Sequence, residues 1–293
     1  MELSHRSDRL SLLARIMVSQ PRSIQIRPIH FDFPDQISKY WLGNSPYKTH
    51  LLNSLTLLLP DVERYINQTV KQQLPQIQAA QLRQDVRAFT AQEAQHASQH
   101  TKFWENLRHQ GYPIESYLRL VRWVLFQGFV RHLSLPTNLA IVAGLEHLTS
   151  LMAEIALRED FLAPAEPQLR ALFEWHAAEE IEHQTVAYDV LQSATTSYPI
   201  RLLGLVVSHV ALLGLINWGT VILLHQDKKW GDRQVWQDLM QFWFFKEKLF
   251  FRAIISGLHY ARPAFHPSQK DNQALAARVL HAFAPHPSSP LRL

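Results

Sequence analysis

Trp175-His176-Ala177-Ala178-Glu179-Glu180-Ile181-Glu182-His183 is the stretch on which the reading of this chain turns. Its polar residues recur at helical spacing inside an otherwise apolar segment. With about 3.6 residues per turn, His176, Glu180 and His183 fall on one narrow stripe of a helix. Two imidazoles and a carboxylate aimed the same way are the donor types of a metal site. The local charge sharpens this, because no Lys or Arg occurs over residues 171–200 while Glu174, Glu179, Glu180, Glu182 and Asp189 all do. A carboxylate buried there finds no cation nearby along the chain.

Working outward, the same pattern appears upstream. In Gln92-Glu93-Ala94-Gln95-His96-Ala97-Ser98-Gln99-His100, the residues Glu93, His96 and His100 again share one helical face. That segment lies in a long helix expected over residues 77–109, closed by Gly111 and Pro113. Before it, helical periodicity begins near Tyr47, and Pro60 reads as the first turn of a second helical piece that carries Glu63 and runs to about Leu74. After it come expected helices over residues 114–132, over 136–160 with Glu146, and over 167–193 with the opening stretch. No Lys or Arg lies between His132 and Leu157, so Glu146 also lacks a local partner.

Composition agrees with an all-α chain. Gly is scarce, at 9 of 293 residues, and long periodic runs of Leu, Ala, Gln and Glu dominate. There is no cysteine, which excludes disulfides, thiolate catalysis, Fe–S clusters and Cys-type zinc sites. The net charge is +4 and the basic residues gather mostly near the two ends, unlike a nucleic-acid-binding stripe. No secretory signal is evident in the first twenty residues, so a cytoplasmic location is expected. The organisation expected is an arm over 1–46, a helical bundle over 47–198, a hydrophobic and amphipathic region over 199–262, and a loose tail over 263–293.

Two segments thus carry Glu-x-x-His, Glu93 with His96 and Glu180 with His183, and two others offer a lone Glu, Glu63 and Glu146. That is the donor set with which four-helix carboxylate bundles hold a pair of iron or manganese ions. Ionised carboxylates crowded into a bundle core each cost several kcal/mol in desolvation, and two divalent cations balance them. Mixed imidazole and carboxylate donors suit iron or manganese rather than calcium. Competing readings stand beside several positions. Glu63, flanked by Asp61 and Arg64, also reads as a surface residue. Glu154 is either an alternative to Glu146 or an exposed charge. His100 reads equally as an outer partner of a ligand, an extra ligand or a plain polar residue. Glu179 is an alternative to Glu180, Glu182 is expected to be solvated, and His147 to be a packing or surface histidine.

The chain resembles the bacterial proteins described as predicted metal-dependent hydrolases within the ferritin-like superfamily. The resemblance rests on Pro60-Asp61-Val62-Glu63-Arg64-Tyr65, on Phe89-Thr90-Ala91-Gln92-Glu93-Ala94-Gln95-His96 through His100, and on Trp175-His176 through Ala187-Tyr188-Asp189. It implies a ferritin-like four-helix bundle with additional C-terminal hydrophobic helices, and a dimetal site. The chain is also similar to di-iron N-oxygenases in its His-x-x-x-Glu-x-x-His, matched by His176, Glu180 and His183. That similarity implies the ligand set Glu63, Glu93, His96, Glu146, His176, Glu180 and His183, with iron as the metal. Nothing outside the ligand set matches, so an amine substrate is not implied.

Three chemistries follow from such a site. Iron would activate O₂ with the help of an electron donor. Zinc or manganese would bridge a water and deliver hydroxide to an ester, amide or phosphate. A metal-storing or structural protein would bind ions without turnover. The position-specific ligand match favours the oxygenase, acting on a small apolar or lipid-like substrate.

The C-terminal third bears on that substrate. Residues 202–224 contain no Asp, Glu, Lys or Arg, and read as a membrane span, a hairpin dipping into one leaflet, or a helix buried against the bundle. An aromatic amphipathic helix is expected over 235–260, with Trp243, Phe244, Phe245, Phe250 and Phe251 beside Lys246, Lys248 and Arg252. It reads as an interfacial segment on the inner face of the cell membrane, a core helix with a solvated edge, or a contact within a homodimer.

Overall fold

The computed structural model describes residues 24–34, 36–270 and 272–283, and among them it is all-α, with no strand beyond an isolated bridge between Leu42 and Ala165. The arm from Ile24 runs without regular structure to α1 (Pro46–Gln73), whose start is fixed by Ser45, its Oγ accepting from Lys48 N at 3.1 Å, and by Pro46 in the first turn. Next come α2 (Ala80–His109) and α3 (Glu115–Arg122), the latter continuing as π-helical turns through Trp123–Val130. Helix α4 (Leu135–Arg158) is capped by Ser134, and α5 (Pro167–His183) carries the opening stretch. The C-terminal helices are α6 (Val186–Ala194), α7 (Tyr198–Gln226), α8 (Arg233–Met240), α9 (Leu249–Tyr260) and α10 (Gln273–Leu280).

Four of these expectations need correcting. Pro60 does not begin a helix but lies inside α1. An interior proline removes the N–H that would bond the carbonyl four residues earlier. Here that carbonyl belongs to Thr56, and the Trp104 indole on α2 donates to it at 3.0 Å. A tertiary hydrogen bond replaces the helical one, and the helix continues. The helix expected over 167–193 is broken by a turn at Gln184 and Thr185. The one expected over 235–260 is interrupted where π turns at Gln241–Phe245 end and Lys248 adopts φ +55°, so that α9 sets off in a new direction. The tail is not loose throughout, since α10 packs on α5 and its Gln273 Nε2 donates to Ile181 O at 2.9 Å.

Helices α1, α2, α4 and α5 enclose the core, with Tyr65, Phe89, Phe103 and Trp175 fully buried. Helix α7 lies along α4 and α1. Small residues allow the approach: a Cβ on Gly204 would fall on the backbone carbonyl of Ala140, and one on Gly219 would meet Ser54 Oγ. Helix α7 is therefore an outer layer of the bundle, with one face packed and the other turned outward.

Candidate metal centre

Each of the four central helices sends carboxylate or imidazole groups inward. Glu63 comes from α1, Glu93 and His96 from α2, Glu146 from α4, and His176, Glu180 and His183 from α5, and all are buried. Their polar atoms converge. His183 Nδ1 lies 2.8 Å from Glu93 Oε1 and 3.8 Å from Glu146 Oε2. His176 Nε2 lies 3.1 Å from Glu180 Oε1 and 3.9 Å from Glu63 Oε1. His96 Nδ1 is 4.0 Å from Glu93 Oε1 and 3.8 Å from Glu180 Oε1. Two groups of donor atoms, Glu93 with His96, Glu180 and His183, and Glu63 with His96 and His176, each lie within 4.8 Å of one another. His96 belongs to both, so the groups adjoin.

The outer nitrogen of each imidazole is engaged elsewhere. His96 Nε2 donates to Glu179 Oε2 at 3.0 Å, and His183 Nε2 donates to Gln92 Oε1 at 2.8 Å. Both bonds leave an Nδ1 lone pair facing inward. His176 Nδ1 shares a 2.8 Å hydrogen bond with His100 Nε2, and His100 Nδ1 shares one of 3.0 Å with Thr56 Oγ1. His176 Nε2 meets Glu180 Oε1 at 3.1 Å; with the proton on Nδ1 instead, the hydrogen-bonded chain runs outward to the threonine and Nε2 would turn its lone pair to an ion. Such outer partners hold a metal-binding imidazole in one tautomer and orientation.

The inward atoms have little else to do. Both oxygens of Glu63 and of Glu93, Glu146 Oε2, Glu180 Oε2, His96 Nδ1 and His183 Nδ1 are buried with no hydrogen bond, the 2.8 Å approach of His183 Nδ1 to Glu93 Oε1 setting a lone pair against a carboxylate oxygen. Orphaned carboxylate oxygens in a dry core are strongly unfavourable unless something cationic meets them. Titration follows suit. Burial, then the charges of neighbouring carboxylates, pushes Glu63, Glu93 and Glu146 well above the usual carboxylate range. Burial also acts to raise Glu180, but the His176 hydrogen bond and the flanking imidazoles outweigh it and hold this group at about 2. His96 and His100 are pushed well down by burial and by the imidazoles beside them, and so stay neutral. Imidazole nitrogens held in place by outer partners, together with carboxylate oxygens that no cation meets, are a donor set that fits two divalent cations.

Comparison with known protein families matches residues 25–271 to the one described as "Predicted metal-dependent hydrolase". The chain belongs to this family. No curated protein and no solved structure matches it. As a member of the predicted metal-dependent hydrolase family the protein is an enzyme, and its buried His/Glu cluster is compatible with bound metal ions.

Of the remaining sequence candidates, His100 and Glu179 stand directly behind His176 and His96. Glu154 is not brought to the cluster. It lies two turns along α4 from Glu146, about 12 Å at the usual rise, and is bonded by Arg158 at 3.0 Å and by Lys270. Glu182 is not solvated as expected, because Arg27 grips it with Nη1 and Nη2, both at 2.9 Å. The same guanidinium reaches Glu179 Oε1 at 3.0 Å. Arg27, Gln92 and Thr56 were missed by sequence reasoning. Gln92 adjoins Glu93 in a quoted motif, whereas nothing in the chain's local pattern points to an arginine in the arm.

An apolar cavity of about 90 Å³ reaches the cluster at His176 and Glu180. It has room for more than a lone water. Leu51, Leu55, Met152, Phe161 and Leu213 are among its walls, and Thr149 brings the one hydroxyl among its lining side chains.

Proposed function

We propose that this protein is a dimetal, O₂-activating oxidase or oxygenase that acts on an apolar substrate held in the cavity beside His176 and Glu180. The observation that carries the reading is the pairing of an imidazole- and carboxylate-rich donor cluster with a substrate space walled by hydrocarbon. Glu63, Glu93, His96, Glu146, His176, Glu180 and His183 would hold the metal pair, which we take to be iron. When bound, such a pair supplies reductive activation of O₂, drawing electrons from an external donor.

The chain's own residues do the rest. Thr56 and His100 fix the orientation of His176, Glu179 does so for His96, and Gln92 for His183. The apolar walls, aliphatic and aromatic, exclude water and position a C–H-rich guest by shape. No side chain lining the cavity is free to serve as a general acid: Thr149 Oγ1 donates to its own helix at Glu146 O, 3.3 Å away, and His176 and Glu180 belong to the cluster.

The competing reading is a hydrolase, which the family description names. One experiment separates the two: metal analysis of anaerobically purified protein, followed by O₂ uptake with a chemical reductant and a medium-chain fatty acid or alkane, beside an ester panel without reductant. Iron with substrate-dependent O₂ uptake supports the oxygenase. Zinc, with ester cleavage and no O₂ uptake, would sink it.

A further inference from the structure

Two apolar stripes on the outside of the bundle have no partner among the described residues. On α7, Leu203, Val206, Val210 and Trp218 recur at helical spacing and are 51%, 59%, 70% and 54% exposed. On α9 and the turn before it, Phe245, Phe250, Phe251, Ile254, Ile255 and Leu258 are exposed as well. The stripes form one face, because Val206 and Val210 of α7 and Phe250 and Ile254 of α9 line a common groove. Leu213 and Trp243 belong both to that groove and to the cavity that reaches His176 and Glu180.

The margin of the face is cationic. Lys246 and Lys248 stand exposed before α9 and Arg262 follows its end, while Arg252 within the helix is paired with Glu159 at 2.7 Å and Lys246 Nζ lies 3.8 Å from Glu247. Lys248 and Arg262 have no carboxylate partner among the described residues, and the acidic residue between the two lysines, Glu247, is buried. Contiguous exposed apolar surface of this extent marks a binding face. Apolar residues backed by a basic margin are the chemistry of a helix lying in the boundary between lipid headgroups and acyl chains. Because the inner face of α7 is packed along α4 and α1, only its outer stripe is available to lipid.

We propose that this face docks on an anionic lipid bilayer, and that the groove between α7 and α9 admits an acyl chain from the bilayer toward the cavity beside His176 and Glu180. Docking rests on the surface alone, while the chain's destination rests on the proposed oxidation of an apolar substrate. Charge complementarity selects the bilayer over a second copy of the chain: lipid phosphates meet the Lys246, Lys248 and Arg262 margin, whereas a second copy would set that margin against its own cations.

The test uses full-length protein with vesicles of phosphatidylcholine alone and of phosphatidylcholine with phosphatidylglycerol. The protein should sediment with the anionic vesicles and far less with the neutral ones. Lipids brominated on the acyl chain should quench its tryptophan fluorescence. Ile255→Asp with Leu258→Asp should weaken vesicle binding by roughly tenfold or more, with circular dichroism and metal content unchanged. Should that pair fail to fold, Lys246→Glu with Lys248→Glu is to abolish the preference for anionic vesicles. Failure to sediment with either vesicle, undiminished binding by a folded variant, or a dimer in light scattering that the Asp substitutions dissolve would overturn the proposal. Vesicle binding is read without turnover, so the oxygenase reading can fail while docking stands.

Discussion

Replacing Arg27 with Met should loosen both the fold and the cluster. The guanidinium is 12% exposed, and it contacts Glu179 at 3.0 Å, where the carboxylate is fully buried, and Glu182 at 2.9 Å, where it is 17% exposed. At an effective dielectric near 20, each contact is worth roughly 5 kcal/mol before desolvation is charged against it. Removing one partner of a buried pair costs about 3–5 kcal/mol, because the other charge is stranded. Glu182 keeps some water, so the lower end, about 3 kcal/mol, is expected for Arg27→Met. Stranded Glu179 would take up a proton and hold His96 less firmly, lowering metal affinity by about 10–100-fold. Urea unfolding of the metal-free protein measures the first effect, and titration with Fe(II) under anaerobic conditions the second. In a Glu179→Gln background the cost of Arg27→Met should fall by about 1–2 kcal/mol, since the two residues are coupled. A loss within about 0.5 kcal/mol, typical of a surface change, together with unaltered metal affinity would refute the reasoning.

Three further outcomes are expected. Glu63, Glu93 and Glu146 hold protons that a metal must displace, so affinity should weaken as pH falls. In the metal-free fold those carboxyls are raised, so between their unfolded and folded values the folded chain binds more protons and stability falls as pH rises. His96 and His100 are lowered, which opposes this only up to their ordinary value of 6.5. As pH rises through the folded carboxyl values the urea midpoint of chelated protein should lose this contribution, and a metal-loaded sample that declines in parallel would contradict the assignment. Trp104→Phe removes the donor to Thr56 O and should cost about 1–3 kcal/mol in urea unfolding; no change would mean that the Pro60 site needs no replacement bond. Gly204→Val should force α7 from α4, costing about 1–3 kcal/mol or more, with a neutral result arguing against the close helix contact.

The pattern of residue types determined a good deal by itself. Helical spacing put His176, Glu180 and His183 on one stripe, and Glu93 with His96 on another, because side-chain direction in a helix follows from sequence separation alone. The absence of nearby Lys or Arg identified the carboxylates with a charge problem. Whether the four helices pooled their donors was a tertiary matter, since Glu63 and His176 sit more than a hundred positions apart and only packing brings them within 3.9 Å. Arg27 answers Glu179 and Glu182 from across the fold, the Trp104 indole lets α1 run through Pro60, and Lys248 in the left-handed region turns α9 away from α8. No local periodicity encodes these, because each depends on a group supplied by a distant segment or on a backbone bend held by its surroundings. The outward stripe of α7 belongs to the same class: hydropathy marked the helix as apolar all round, and only its packing on α4 and α1 decided which side was left facing out.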